Sequence, residues 1–158
     1  MYVVFNHQYF PAMKRFSLLA FMLLAISSLY AQDIYMRNIL EVAAPIVEYI
    51  EVENSQEIVR MEFDIVSSGP KFTYRDLHSG YTYGICAFGD YRIEDLDIKV
   101  YKDVDGEPVL VKKDIDSSDI AMIVVEPSST GSYIIEISAY KFVEGYSVGH
   151  YGLIIFHE

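Results

Sequence analysis

The stretch from Val59 to Ile65, VRMEFDI, puts Val59, Met61, Phe63 and Ile65 on one parity and Arg60, Glu62 and Asp64 on the other. A period of two is the repeat of extended backbone, whose successive side chains point to opposite faces. One apolar face and one charged face predict a half-buried strand. The same rhythm returns downstream. Phe72 and Tyr74 alternate with Lys71, Thr73 and Arg75; Tyr81, Tyr83, Ile85 and Ala87 share a parity; Leu96, Ile98 and Val100 alternate with Asp95, Asp97 and Lys99. Val109 with Val111, then Ala121, Ile123 and Val125, give two shorter runs, and Tyr133 to Ala139 and Tyr151 to Ile155 complete the series. Ser68-Gly69-Pro70, Gly89-Asp90, Asp103 to Gly106 and Pro127 to Gly131 separate the runs with turn-forming residues. This pattern predicts an all-β chain of about eight strands over residues 57–158, an antiparallel sandwich or barrel with its apolar parities meeting in one interior. Strand–helix alternation is lacking, which excludes a parallel α/β sheet.

Upstream the period changes. Ile39, Leu40, Ala43 and Val47 fall near one face at helical spacing, so a short N-terminal helix is expected from Asp33 to Ala44 within a connector spanning 32–56. Asp33 suits its N-cap, and Pro45 should end or kink it. Further upstream, Met13-Lys14-Arg15 is a short cationic segment, Phe16 to Ile26 is an uncharged apolar run, and Ser27 to Ala31 supplies small residues. That order is a secretory signal peptide over 13–31, cleaved after Ala31. The greasy run falls short of the roughly 20 residues that span a bilayer. Residues 1–12 carry no charged side chain and read as a start called too early, with Met13 as the true first residue. The expected destination is the periplasm or the extracellular space.

The 158 residues carry a formal charge of −11, one cysteine and no tryptophan, with 52% apolar residues. One cysteine cannot close an internal disulfide, and this apolar content excludes a disordered polar chain. The acidic balance argues against a nucleic-acid partner, because phosphate selects a basic face. Without residues 1–31 the charge is −13, which favours solubility and attracts divalent cations.

Four stretches in order resemble one known family. They are Leu77 to Asp90 (LHSGYTYGICAFGD), Asp95 to Tyr101 (DLDIKVY), Pro127 to Ile137 (PSSTGSYIIEI) and Gly145 to Ile155 (GYSVGHYGLII). Together they are similar to the bacterial pre-peptidase C-terminal domain, a small jelly-roll sandwich appended to secreted enzymes. The likeness covers roughly residues 70–158 and implies that fold, export and a non-catalytic role. Two departures stand out. No peptidase domain precedes this copy, so a stand-alone version is implied, and the first 25 or so residues after the leader have no counterpart. Fold alone does not name a ligand.

No G-x-S-x-G, H-E-x-x-H or zinc-spaced Cys/His set occurs, so no enzyme activity is expected. The alternative is a small secreted hydrolase using Cys86 with a histidine such as His78 or His150, or a His–Asp pair. Calcium is the cofactor to consider, because hard cations collect several carboxylate and carbonyl oxygens. Asp95 and Asp97 share a parity opposite Leu96 and Ile98, and Asp114, Asp116 and Asp119 lie in a loop expected to reach them. The resemblance adds that some proteins of this fold bind calcium through acids near a sheet edge. Asp103-x-Asp105-Gly106 opens like an EF-hand loop but reads as a hairpin turn. Among the tyrosines, Tyr81, Tyr83, Tyr133 and Tyr151 share parity with aliphatic residues and read as core. Tyr91, Tyr101, Tyr140 and Tyr146 fall off that parity and form a candidate platform for a glycan or protein. The expected function is a secreted, non-catalytic module that binds a protein or polysaccharide; a calcium-dependent carbohydrate-binding module is the variant.

Overall fold

The computed structural model describes residues 36–158. The leader, the proposed start at Met13 and the Asp33 cap lie outside the described residues. A helix, α1 (Met36–Val47), runs into a π-helical segment (Glu48–Glu53) and then eight strands: β1 (Glu57–Val66), β2 (Lys71–Leu77), β3 (Tyr83–Gly89), β4 (Ile93–Val104), β5 (Glu107–Asp114), β6 (Ile120–Val125), β7 (Gly131–Phe142) and β8 (Gly149–His157). They form two four-stranded antiparallel sheets, ordered β1-β8-β3-β6 and β2-β7-β4-β5. The pairs β1·β8, β2·β7, β3·β6 and β4·β5 are those of one long hairpin rolled up. Every connection but β4–β5 passes from one sheet to the other. This is a jelly-roll sandwich.

The one hairpin within a sheet turns at Asp105 (φ 56°) and Gly106 (φ 88°), and the Gly106 N–H donates to Asp103 Oδ1 at 2.8 Å. Two consecutive positive φ angles match the twist of the flanking strands. The DVDG segment is thus a turn.

Between the sheets, Leu96, Ile98 and Val100 of β4 and Tyr133, Ile135 and Ile137 of β7 meet Tyr83, Ile85 and Ala87 of β3, Ala121, Ile123 and Val125 of β6, and Tyr151, Leu153 and Ile155 of β8. A second apolar cluster lies on the outer side of the first sheet. There Cys86, Phe88, Ile154 and Phe156 pack against Ile39, Ala43 and Ile50 of the N-terminal segment, with Ile58 and Phe63 at the margin. β3 and the first eight residues of β8 are buried along their length, so both faces of these strands are covered. Close approach is needed here. A Cβ on Gly84 would fall 2.0 Å from the Phe156 ring, and one on Gly152 would fall 2.2 Å from the Phe88 ring. Each ring occupies the space that a side chain on the neighbouring strand's glycine would need.

Four expectations need correction. The core is two clusters, not one interior. Pro45 sits inside α1 and does not end it, because Ile39, Ala43 and Ile50, on both sides of the proline, are buried against the sheet. The parities of β1 and β2 are inverted. Phe63 and Ile58 face the α1 side, whereas Arg60, Glu62 and Asp64 share a parity with the interior-facing Val66. Phe72 and Tyr74 are exposed, and Lys71, Thr73 and Arg75 share the inward parity of Leu77. The inward polar groups answer one another across this edge: Lys71 pairs with Asp64 (3.1 Å), the Thr73 hydroxyl donates to Glu62 (2.9 Å), and Arg60 pairs with Glu62. Finally, Tyr81 is 48% exposed, because β3 begins only at Tyr83.

Two substitutions test this packing. Gly152→Ala should cost about 1–3 kcal/mol in urea unfolding, because the Phe88 ring must move. Ile135→Asp, an unpaired charge between the sheets, should abolish the folded circular dichroism signal.

Candidate functional site

Cys86 lies at 0% exposure beneath α1, and burial pushes its thiol up to about 12. A nucleophilic thiolate needs the opposite shift and an open face. The three histidines of the described residues are engaged elsewhere. His78 and His157 line a cavity at one end of the sandwich, and His150 belongs to a buried ionic cluster.

That cluster joins the β3–β4 connection to the start of β8. Asp90, Arg92 and His150 are all buried. Arg92 Nε lies 3.0 Å from both Asp90 carboxylate oxygens, and Nη2 reaches Oδ2 as well. The backbone N–H groups of Arg92 and His150 also donate to this carboxylate, each at 3.1 Å. Arg92 Nη2 stands 2.9 Å from His150 Nδ1. A guanidinium has no acceptor, so Nδ1 accepts and the imidazole proton sits on Nε2. His150 is therefore the third member of the network, tied into it through its ring and its backbone N–H. Burial works to raise the Asp90 carboxyl, but hydrogen bonds from Arg92 and from the two backbone amides outweigh it and hold Asp90 below the usual carboxylate range. Sequence reasoning missed this cluster, since its members lie up to 60 residues apart and only the Asp90/Arg92 pair amid apolar neighbours hints at it.

The five acids weighed for calcium divide. Asp95 and Asp97 share a cavity of about 450 Å³ with Ile115, Ser117 and Tyr140. Partial burial, then the Asp95 carboxylate, raises the Asp97 carboxyl above its usual value. Asp95 Oδ1 is buried without a hydrogen-bond partner among the described residues. Asp114 instead accepts from the backbone of Asp116 (3.1 Å) and Met122 (2.9 Å), Asp116 is exposed, and Asp119 binds the Gly89 N–H through its carbonyl at 2.8 Å. Among the described residues no three His, Cys, Asp or Glu side chains are grouped to hold a metal ion.

The four platform tyrosines divide as well. Tyr91 and Tyr146 meet edge to face, 5.7 Å apart, with the Arg92 guanidinium 5.6 Å from the Tyr91 ring centre. Tyr101 and Tyr140 lie on the outer face of the second sheet at opposite ends, six residues of β7 apart by register, or about 20 Å.

That outer face holds an arrangement the sequence did not reveal. Tyr74 of β2 pairs in register with Ile134 of β7, Ile134 with Tyr101 of β4, and Tyr101 with Leu110 of β5. The result is an apolar row across all four strands, about 14 Å long at the usual strand spacing. Phe72, Tyr74, Tyr101, Pro108, Ile134 and Glu136 line a groove of about 360 Å³ there. Glu136 accepts from the Tyr101 hydroxyl (3.0 Å) and from Lys99 Nζ (2.8 Å), which sets a polar group beside the rings. Tyr74 is 67% exposed.

No protein-family model matches the chain, and neither does any curated protein. Among solved structures it is similar to the pre-peptidase C-terminal domain of collagenase from Bacillus anthracis, at 15% identity over 61% of this chain and 87% of that one, with a TM-score of 0.45. It is also similar to PliG, a periplasmic inhibitor of g-type lysozyme from Aeromonas hydrophila (11% identity, 63% and 85% covered, TM-score 0.44), and to a CBM4 (9%, 66% and 79%, 0.40). Each likeness is one of sandwich architecture alone. A pre-peptidase C-terminal domain thus stands among the structures similar to this chain, as the four motifs implied.

The ionic cluster makes a prediction. A carboxyl held low in the folded state contributes stability that is full above its unfolded value, about 3.9, and is lost as the pH falls through the folded value. Asp90→Asn should lose about 3–5 kcal/mol at neutral pH, leaving Arg92 buried and unpaired. It should also show a flatter decline of stability below pH 4 than the parent in urea titrations.

Proposed function

We propose that this chain is a secreted, non-catalytic module that binds an extended polysaccharide across the outer face of its second sheet. The observation that carries this reading is the row Tyr74–Ile134–Tyr101–Leu110, left open on a face that no other element covers among the described residues. Aromatic rings offer flat apolar area to the C–H faces of a sugar, and Glu136, Lys99 and the tyrosine hydroxyls sit within reach of its hydroxyls. The buried Cys86 and the His150 network support a binding role over hydrolysis. The leader over 13–31 supports export, and no helix among the described residues is long and apolar enough to cross a membrane.

A protein partner is the second reading. It rests on β5, an edge strand whose Val109, Leu110 and Val111 are exposed, an arrangement suited to strand addition.

Glycan-array screening of the exported chain tests the first reading. A bound polysaccharide should lose about 1–1.5 kcal/mol with Tyr74→Ala or Tyr101→Ala, roughly fivefold to tenfold in affinity. Absence of any bound glycan, or full retention by both variants, contradicts it.

A further inference from the structure

A separate cavity opens where the two sheets meet at one end of the sandwich. It measures about 560 Å³, within the range of small-ligand sites, and draws its walls from β1, β2, β3, β8 and the loops before β3 and β7. Three of its rings form a triangle. Tyr81 lies 5.1 Å from His157 and 6.0 Å from Tyr83, and Tyr83 lies 5.9 Å from His157. The wall is pinned in place: the Tyr83 hydroxyl accepts the His78 N–H at 3.2 Å, and Thr130 Oγ1 accepts the Ser79 N–H at 3.0 Å. His157 Nδ1 lies 2.7 Å from the Glu158 carbonyl, so Nδ1 carries a proton and donates to it.

Charge singles this cavity out. The chain holds 23 acids, yet Asp76 is the one acid in the lining, beside Arg75, His78 and His157. Arg37, Arg60 and Arg92 each pair with a carboxylate; among the described residues Arg75 has no such partner, although it is half-buried. A partly desolvated guanidinium presents a fork matched to a planar anion. Glu57 stands opposite His157 in the β1·β8 register and Glu158 holds the His157 ring, so the positive charge open to an anion is that of Arg75.

We propose that this cavity binds a carboxylate-bearing saccharide residue, Arg75 taking the carboxylate and the exposed Tyr81 ring taking the apolar face of the sugar. The hydroxyls of Ser79 and Thr130 receive the sugar hydroxyls. The site is distinct from the groove on the second sheet, and the proposal does not rest on that groove.

Calorimetric titration of the intact chain in 0.15 M NaCl tests it, with the α-1,4-linked trimer of galacturonic acid as probe and its methyl ester as the uncharged control. The acid form should bind at least tenfold more tightly than the ester. Arg75→Gln should erase that preference with little change in melting temperature, Tyr81→Ala should weaken both ligands, and Tyr74→Ala on the other face should weaken neither. In the unmodified chain, the ring signals of His78 and His157 should move during an NMR titration while those of His150 stay still. This readout decides the matter even where a variant does not fold. No binding of the acid trimer, equal affinity for acid and ester, a retained preference in Arg75→Gln, or histidine signals of the cavity that do not move would overturn the proposal.

Discussion

β3 and β8 are apolar on both faces, and the rest of the fold answers to that constraint. A strand with Ile85 and Ala87 on one side and Cys86 and Phe88 on the other cannot turn either side to water without losing burial worth about 25 cal/mol per Å². One side is met by the second sheet. The other is met by α1 and the π-helical segment, which bring Ile39, Ala43 and Ile50. The N-terminal segment is therefore part of the core. Phe88 and Phe156 fill the space that a side chain at Gly152 or Gly84 would take.

The same constraint separates the surfaces that remain. With α1 committed to the first sheet, the outer face of the second sheet keeps its rings in solvent. At the β1/β2 edge the inward positions are polar, so the space between the sheets is lined there by Lys71–Asp64 and Thr73–Glu62 contacts. Near that edge, the end of the sandwich leaves Arg75 beside Tyr81 and the histidines. The cluster of Asp90, Arg92 and His150 ties β8 to the β3–β4 connection.

The strand rhythm, the turns and the buried Tyr83, Tyr133 and Tyr151 were legible in the sequence because they depend on local backbone geometry and on residues with one dominant tendency. Alternation says that two faces of a strand differ; it does not say which one meets the other sheet. β1 and β2 show the consequence, since a helix competes for the apolar side of β1 and water reaches Phe72 and Tyr74 of β2. Tyr81 shares the parity of β3 but precedes the strand by two residues. The candidate sites were less legible still. The row from Tyr74 to Leu110 exists only through the register of four strands, and the Arg75 cavity gathers residues from positions 59 to 157. Asp95 and Asp97 do fall together, as a two-residue spacing on one strand requires, while the Asp114 carboxylate accepts from the backbone of Asp116 and of Met122 in β6 and Asp119 meets β3 through its backbone carbonyl.

Hydroxyl-radical footprinting of the native chain by mass spectrometry tests the central claim most directly, because it reads the solvent exposure of each ring and sulfur. A first sheet covered on both sides and a second sheet open on one predict rapid oxidation of Phe72 and Tyr74 and strong protection of Cys86, Phe88 and Phe156. Rapid labelling of Cys86 and Phe156 together with protection of Phe72 and Tyr74 would contradict it.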